Sequence, residues 1–189
     1  MKFKSICCSL AALFAIGLSD AGATPITFVS GDTPLAIPDV SSASSTITVT
    51  TAGRVLDINA LLNITHTYDA DLVLTLSHAG TTVILSSRNG GSGGQDYTDT
   101  LFDDSAYTAI NAGYAYAPYT GTFSPEQALA AFNDQDILGD WTLTATDMEA
   151  GDTGVINNWS LVAQVPEPAS LALFGLGVLG LVGSRRRRK

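Results

Sequence analysis

Apolar and polar residues alternate along the middle of the chain. Between residues 55 and 64 every even position is apolar, and most odd positions are polar. The apolar face consists of Leu56, Ile58, Ala60, Leu62 and Ile64. A period of two residues places successive side chains on opposite faces of a strand, so this segment is predicted to be a strand with one buried face.

Five further segments are rich in Val, Ile, Leu and Thr and are bounded by Gly, Asp or Asn, which is typical of short strands. They are residues 46–51, 71–77, 81–86, 141–146 and 155–163. Hairpin turns are predicted at 77–80 and 149–154, and only 125–132 has helical character. Six or more short strands with Gly-rich turns favour an all-β fold, a β-sandwich of jelly-roll or Greek-key type.

The N-terminal segment has the order of a secretory signal. Lys2 and Lys4 precede an apolar run at residues 6–18, and Ala23 ends a triplet of small residues. This order predicts a helical signal peptide over residues 1–23, with cleavage after Ala23. The alternative is an N-terminal core helix.

The C-terminal segment has three consecutive parts. Pro166, Glu167 and Pro168 are followed by an apolar run at residues 169–183 and then by a basic cluster. The cluster comprises Arg185, Arg186, Arg187, Arg188 and Lys189. As a helix the apolar run is about 23 Å long, which is shorter than the roughly 30 Å hydrocarbon core of a bilayer. The run therefore suits a transient membrane anchor, with the basic cluster on the cytoplasmic side.

This tripartite segment, residues 165–189, resembles the PEP-CTERM sorting signal. The resemblance implies recognition by an exosortase-type membrane protease that removes the tail. It also implies an inner-membrane intermediate held by the C-terminal hydrophobic helix, followed by delivery to the cell surface or extracellular matrix of a Gram-negative bacterium. The alternative is an ordinary tail anchor, which is usually longer.

The composition of the remaining chain excludes several classes of protein. Both cysteines, Cys7 and Cys8, lie in the signal segment, so the processed protein has no disulfide, no Cys-ligated zinc and no catalytic Cys. Of the 18 acids and nine Lys and Arg, two acids and seven cations lie in segments 1–23 and 165–189, which leaves 16 acids, two cations and a net charge of about −14. Such a surface repels nucleic acid and suits divalent cations.

Residues 24–164 form one predicted domain, in which several short motifs occur in a set order. In sequence they are Ile64-Thr65-His66-Thr67-Tyr68, Arg88-Asn89-Gly90-Gly91, Asp99-Thr100-Leu101-Phe102-Asp103-Asp104, Ala117-Pro118-Tyr119-Thr120-Gly121-Thr122-Phe123, Gly139-Asp140-Trp141 and Asn158-Trp159-Ser160-Leu161. Together they resemble the P (Homo B) domain of proprotein convertases, over residues 37–162. The resemblance implies a jelly-roll β-sandwich that stabilises and modulates a subtilisin-like protease, with calcium bound in some members.

Aspartates are concentrated in the predicted loops. Loops at one end of a sandwich converge, so carboxylates distant in sequence are expected to share a calcium site. The candidate ligands are Asp69, Asp71, Asp99, Asp103, Asp104, Asp147 and Asp152. The alternative is that these side chains cap backbone N–H groups in turns and keep the surface soluble.

Other reactive residues have structural interpretations. His66 continues the apolar face of residues 55–64 and is predicted to be a core or edge histidine hydrogen-bonded to a neighbouring loop, with a general base as the alternative. His78 lies in a predicted turn and is expected to be solvated. The aspartic-protease signature Asp152-Thr153-Gly154 occurs once, and Gly154 is expected to supply the positive φ of a hairpin turn.

The aromatic residues divide between the predicted core and a loop. Trp141 and Trp159 lie in predicted strands and are expected in the core. Four tyrosines cluster in a loop region, where their rings either stack on sugars or cover the edge of the sandwich. They are Tyr107, Tyr114, Tyr116 and Tyr119.

The function predicted from these features is non-catalytic. The subtilisin motifs around the catalytic Asp, His and Ser are missing from the sequence, and no nucleophile is paired with a base, so the protein is predicted not to be an enzyme. We expect an exported surface or matrix protein that binds exopolysaccharide or another macromolecule. The alternatives are an accessory domain that acts in trans on a secreted subtilisin-like serine protease, and an unrecognised hydrolase.

Overall fold

The computed structural model describes residues 25–112 and 117–166. The predicted signal peptide, with its cleavage site at Ala23, lies outside these ranges. So do the predicted C-terminal helix and the sorting residues Glu167, Pro168, Arg185, Arg186, Arg187 and Arg188. Within the described ranges, no helix is both long enough and apolar enough to cross a membrane.

The described chain is folded into strands joined by turns and two short 3₁₀ helices. The strands are β1 (Pro25–Val29), β2 (Leu35–Ile37), β3 (Ser42–Val49), β4 (Asp57–His66), β5 (Leu72–His78), β6 (Thr81–Ser87), β7 (Tyr97–Phe102), β8 (Tyr119–Phe123), β9 (Gly139–Asp147) and β10 (Gly154–Gln164). One sheet has the order β1-β10-β4-β7-β8, with β2 also paired to β10, and the other has the order β3-β9-β5-β6. Neighbouring strands are antiparallel except β7 and β8, which are parallel.

The two sheets enclose one apolar core, as the alternating pattern predicts. In β4 the buried positions are Ile58, Ala60, Leu62, Ile64 and His66. Trp141 and Trp159 are both buried in the same core, one from each sheet. The predicted all-β sandwich is thus confirmed. Leu56 is the exception to the predicted face, because it precedes β4 and is 36% exposed.

The sequence pattern misses four strands and overstates the helix. Strands β7 and β8 bury few residues in regular alternation, and positive φ at Asp99 and Gly121 interrupts their extended geometry. Strands β1 and β2 are short and largely exposed, so they lack a period-two signal. The predicted helix at 125–132 reduces to a 3₁₀ helix at Leu129–Phe132.

His78 is buried and does not lie in a solvated turn as expected. It is the last residue of β5, and it pairs with Trp141 of β9. The two rings stack with their centroids 3.9 Å apart. The His78 ring nitrogens lie 2.9 Å and 2.7 Å from the backbone oxygens of Asp140 and Asp136. The hairpin turn itself is formed by Ala79 and Gly80, whose positive φ angles suit a two-residue turn.

Candidate functional site

One end of the sandwich gathers several of the acids singled out from the sequence. Strand β4 ends there at His66 and strand β9 ends there at Asp147, while β10 begins there at Gly154. A 3₁₀ helix, Asp69–Asp71, connects β4 to β5 at the same end. Antiparallel pairing explains this arrangement, because the end of one strand lies beside the start of its neighbour.

His66 and Asp147 form a buried pair at this end. His66 Nε2 lies 3.5 Å from Asp147 Oδ2, and both side chains are fully buried. The other ring nitrogen, Nδ1, lies 2.9 Å from the backbone oxygen of Tyr68. Both nitrogens of His66 therefore face protein atoms, which confirms the prediction of a core histidine bonded to a neighbouring loop.

Gly154 has a different role from the one expected. It is the first residue of β10, paired with His66, and it does not have a positive φ angle. A Cβ atom at this position would lie 2.4 Å from the Thr65 carbonyl oxygen and 2.5 Å from His66 Cδ2. Glycine is required here because the β4 backbone and the His66 ring approach too closely for any side chain.

Asp71 lies beside the buried pair among other carboxylates. Burial raises the pKa of the Asp71 carboxyl, and the negative charges of Asp147, Asp152 and Glu149 raise it further. His66 acts in the opposite direction. The end of the sandwich is therefore a region of crowded negative charge, to which Glu149 contributes although the sequence pattern did not single it out.

Asp69 is fully buried next to this region. Its Oδ1 accepts a 3.0 Å hydrogen bond from the backbone N–H of Asp96, while Oδ2 has no partner in the described structure. Burial raises the pKa of the Asp69 carboxyl to about 7, the nearby Asp96 charge adds to this, and the Asp96 N–H bond opposes it. The backbone N–H of Asp69 donates to Gly94, which fixes the glycine-rich loop above it.

An open cleft of about 610 Å³ lies over this loop. It is lined by Tyr68, Ala70, Asp71, Arg88, residues 90–94 and Ala117. At its rim Arg88 donates a 2.7 Å hydrogen bond to Glu149. Gly90 packs so closely against Asp69 that a Cβ atom on Gly90 would lie only 2.9 Å from the Asp69 Cβ. Among the described residues that line the cleft, one is acidic, Asp71, and one is cationic, Arg88.

The remaining calcium candidates lie apart and bond to local groups. The Asp104 carboxylate accepts bonds from the backbone N–H groups of Leu129 and Ala130, at 2.8 Å each, and so caps a 3₁₀ helix. Asp103 accepts from the N–H of Ser105. These contacts are the turn and capping interactions that were the alternative to calcium binding.

Asp99 and Asp152 also have local partners. Asp99 Oδ1 accepts a 3.1 Å bond from Asn63 Nδ2 in the neighbouring strand, and Asp152 Oδ1 accepts a 2.6 Å bond from the Thr67 hydroxyl. Across the described residues, no three His, Cys, Asp or Glu side chains converge on a position that would hold a metal ion. The structure therefore brings Asp69, Asp71, Asp147 and Asp152 to one end of the sandwich without forming a three-ligand site.

Of the four tyrosines expected to cluster in a loop, Tyr107 and Tyr119 lie within the described residues, and Tyr119 belongs to a strand and not to a loop. Tyr119 is fully buried in β8, where it stacks on Tyr97 with ring centroids 4.9 Å apart. Tyr107 is fully exposed, whereas Tyr114 and Tyr116 lie outside the described residues. The expectation failed for Tyr119 because its strand pairs with β7 and turns the ring into the core.

Two family models match the sequence. Residues 55–163 match the proprotein convertase P-domain, and residues 164–188 match the PEP-CTERM protein-sorting motif. These matches confirm both resemblances. No curated protein matches the chain.

The solved structures that match this chain include two of a bacterial serine protease and one of FLHE. The crystal structure of the serine protease of Aeromonas sobria shares 20% identity, with 75% of this chain and 26% of that chain covered and a TM-score of 0.45. The same protease in complex with its chaperone shares 21% identity, with 77% and 27% covered and a TM-score of 0.45. The crystal structure of FLHE shares 10% identity, with 77% and 100% covered and a TM-score of 0.46. The chain spans about a quarter of the length of the two protease structures.

Proposed function

This chain belongs to the proprotein convertase P-domain family, and we propose that it is an exported, non-catalytic binding protein of the cell surface or extracellular matrix. The matched sorting motif marks it as an exported protein. In the proposal, an exosortase-type membrane protease recognises residues 164–188 and releases the chain from a transient inner-membrane anchor. The jelly-roll connectivity that the family implies is part of the same proposal.

The observation that carries the proposal is the burial of the His66–Asp147 pair. A histidine beside a carboxylate has the composition of an acid–base dyad, but catalysis requires that a ring nitrogen reach a substrate or a nucleophile. Both side chains are fully buried, and both His66 nitrogens face protein atoms. The pair therefore supports a structural role for these two residues, and the match to an accessory-domain family supports binding as the function.

A second candidate function follows from the family match. P-domains are accessory domains, so the chain is also a candidate regulator that acts in trans on a secreted subtilisin-like serine protease. The cleft over the glycine-rich loop supports this candidate, because Arg88 already bonds to Glu149 and the Asp71 carboxylate in the lining can attract a basic side chain of a partner protein.

The proposal includes calcium binding only at the acidic end of the sandwich, around Asp71. At the end of the sandwich the negative charges of Asp147, Asp152 and Glu149 act on the Asp71 carboxyl, and a divalent cation would offset that repulsion. Because the described side chains do not supply three converging ligands, backbone carbonyls and water would have to provide most of the six to eight oxygens that calcium prefers.

The proposal is tested with the processed protein isolated from the bacterium that makes it. The protein is mixed separately with exopolysaccharide from that bacterium and with a subtilisin-like serine protease purified from its culture medium, and co-sedimentation or complex formation is measured. Retention on the polysaccharide supports the first function, and a stable complex with the protease supports the second. Peptidase or glycosidase turnover that survives repurification contradicts both.

A further inference from the structure

The outer face of the β3-β9-β5-β6 sheet bears hydroxyl groups at nearly every outward position. In these strands the inward side chains are buried, and the alternate positions are exposed or half-buried. The outward hydroxyl residues are Ser42, Ser44, Thr46, Thr48, Thr75, Ser77, Thr82, Thr142, Thr144 and Thr146. We call this set the hydroxyl face.

The strand register aligns these hydroxyl residues in rows across the sheet. Ser44 pairs with Thr144, which in turn pairs with Thr75 on the next strand. The row beside it contains Thr46, Thr142 and Ser77. Neighbouring strands lie about 4.8 Å apart, and outward residues along one strand are about 7 Å apart. The hydroxyl face is therefore a regular two-dimensional array.

Hydrogen bonds between the side chains hold part of the array in place. The hydroxyl oxygens lie 2.9 Å apart in the Ser44–Thr144 pair and 3.2 Å apart in the Thr46–Thr142 pair. A hydroxyl has one donor and two acceptor positions, so a paired hydroxyl can still bond to a partner above the sheet. Because these side chains are already ordered, a partner that binds them loses less side-chain entropy than one that binds long flexible residues.

The hydroxyl face is also nearly uncharged in a strongly acidic protein. Strands β3, β5, β6 and β9 contain no Lys, Arg or Glu, and their two acids are Asp140 and Asp147. Asp147 is buried, and Asp140 lies at one end of β9, where it accepts a 2.6 Å bond from Thr48. A cationic partner would be drawn to the acids elsewhere, and an anionic partner would be repelled by them. The face therefore suits an uncharged partner.

The chemistry of the face favours a sugar polymer over a protein. Protein interfaces depend on aromatic and apolar anchors, whereas the outward apolar residues on the two inner strands and β6 are only Val73 and Ile84. A polysaccharide offers hydroxyl donors and acceptors along its whole length, which matches a surface that also offers both. We propose that the hydroxyl face is a docking surface for an extended, uncharged polysaccharide. This inference rests on the proposed binding function and assigns it to a surface away from the cleft.

The proposal is tested by co-sedimentation of the full chain with three insoluble, uncharged polysaccharides: cellulose, chitin and a β-1,3-glucan. The test variant combines Thr75→Val, Thr142→Val and Thr144→Val, which removes three hydroxyls and keeps branched side chains suited to strands. The matched control combines Thr98→Val, Thr120→Val and Thr122→Val on the other sheet, where these residues are exposed. Circular-dichroism melting verifies that both variants fold.

We expect the full chain to bind at least one of these polysaccharides. The test variant should bind about tenfold more weakly, since each lost hydrogen bond lowers affinity by a factor of a few, while the control variant binds as the unaltered chain does. Equal binding by the test variant would overturn the assignment of the face and leave the proposed binding function standing. If the full chain binds none of the three polysaccharides, the inference is overturned. Turnover of a polysaccharide would overturn the proposed function instead.

Discussion

The Oδ2 atom of Asp147 lies 3.5 Å from Nε2 of His66 in the interior of the protein. Neither atom has a hydrogen-bond partner within the described structure. His66 is the last residue of β4 in one sheet, and Asp147 is the last residue of β9 in the other. Their contact therefore links the two sheets at the acidic end. We infer that this pair contributes to stability and does not perform chemistry.

A double-mutant cycle tests the structural role of this pair. His66→Ala leaves the Asp147 carboxylate buried without its partner, so the free energy of unfolding should fall by about 3 kcal/mol. Combining it with Asp147→Ala should cost less than the sum of the two single changes, because the residues interact directly. Urea unfolding measures all three variants.

The exposed ion pair between Arg54 and Asp134 provides the control cycle. Its atoms lie 3.0 Å apart, but both side chains are mostly exposed. Its coupling energy should stay below about 1 kcal/mol. If the coupling energy of His66 and Asp147 is no larger than that of Arg54 and Asp134, the proposed structural role of the buried pair is contradicted.

Gly154 should not tolerate even a methyl group. Gly154→Ala places a Cβ atom 2.4 Å from a backbone oxygen, so β10 must shift away from β4, and we expect a loss of about 1–3 kcal/mol in the free energy of unfolding. Gly31→Ala is the matched control, because a Cβ atom there meets nothing within 4 Å. Its effect should stay within about 0.5 kcal/mol. Thermal unfolding measures both variants. Equal melting temperatures for Gly154→Ala and Gly31→Ala would show that the close approach at Gly154 is absent in solution.

Asp69 should make the fold less stable as the pH rises. Its pKa is about 7 in the folded protein against 3.8 for the unperturbed group, so the folded state holds the proton more tightly. The resulting stability is fully present below pH 3.8 and is lost as the pH rises through about 7. The loss amounts to at most about 4 kcal/mol.

Asp69→Asn isolates this contribution. The variant cannot ionise, so its free energy of unfolding should fall less than that of the unaltered chain between pH 4 and pH 8, which urea unfolding at several pH values measures. Asp134→Asn, at an exposed position, should keep the unaltered profile. An Asp69→Asn profile that runs parallel to that of the unaltered chain would contradict the raised pKa of the buried Asp69 carboxyl.

The proposed calcium interaction is tested at the acidic end of the sandwich, where the described side chains alone form no three-ligand site. After EDTA treatment, calorimetric titration of the full chain with calcium should give heat, and the melting temperature should rise. Under the proposal, Asp71→Asn should weaken both effects, since it removes a carboxylate on which the charges of Asp147, Asp152 and Glu149 act. Asp134→Asn, at an exposed position, should leave both effects unchanged. Absence of both heat and a melting shift would remove calcium from the account.

The sequence was sufficient to predict the fold wherever one face of a strand is buried. Strand β4 follows the period of two from Ile58 to His66, and both tryptophans lie in the core as expected. The sequence pattern failed for strands that are defined by hydrogen bonding to a neighbouring strand and that lack a regular alternation of buried and exposed positions. Strand β8 carries Gly121 with positive φ and binds in parallel to β7, an arrangement that requires knowledge of distant partners.

The candidate site was predictable only in part. Loop position indicated that Asp71, Asp147 and Asp152 would meet at one end, and they do. The sequence did not distinguish them from Asp104, whose carboxylate caps the backbone of Leu129 and Ala130. Local capping and long-range convergence use the same residue type, so the distinction depends on tertiary structure. The same holds for His78, which strand register places against Trp141.

The central claim is that this protein binds without catalysing a reaction, and turnover by the native protein tests it most directly. The processed protein is repurified to constant composition and assayed against peptide and polysaccharide substrates beside a His66→Gln variant that retains its fold. We predict no turnover above the buffer rate for either protein. Turnover that follows the protein through repurification would contradict the claim, and its loss in His66→Gln would place the activity at the buried His66–Asp147 pair.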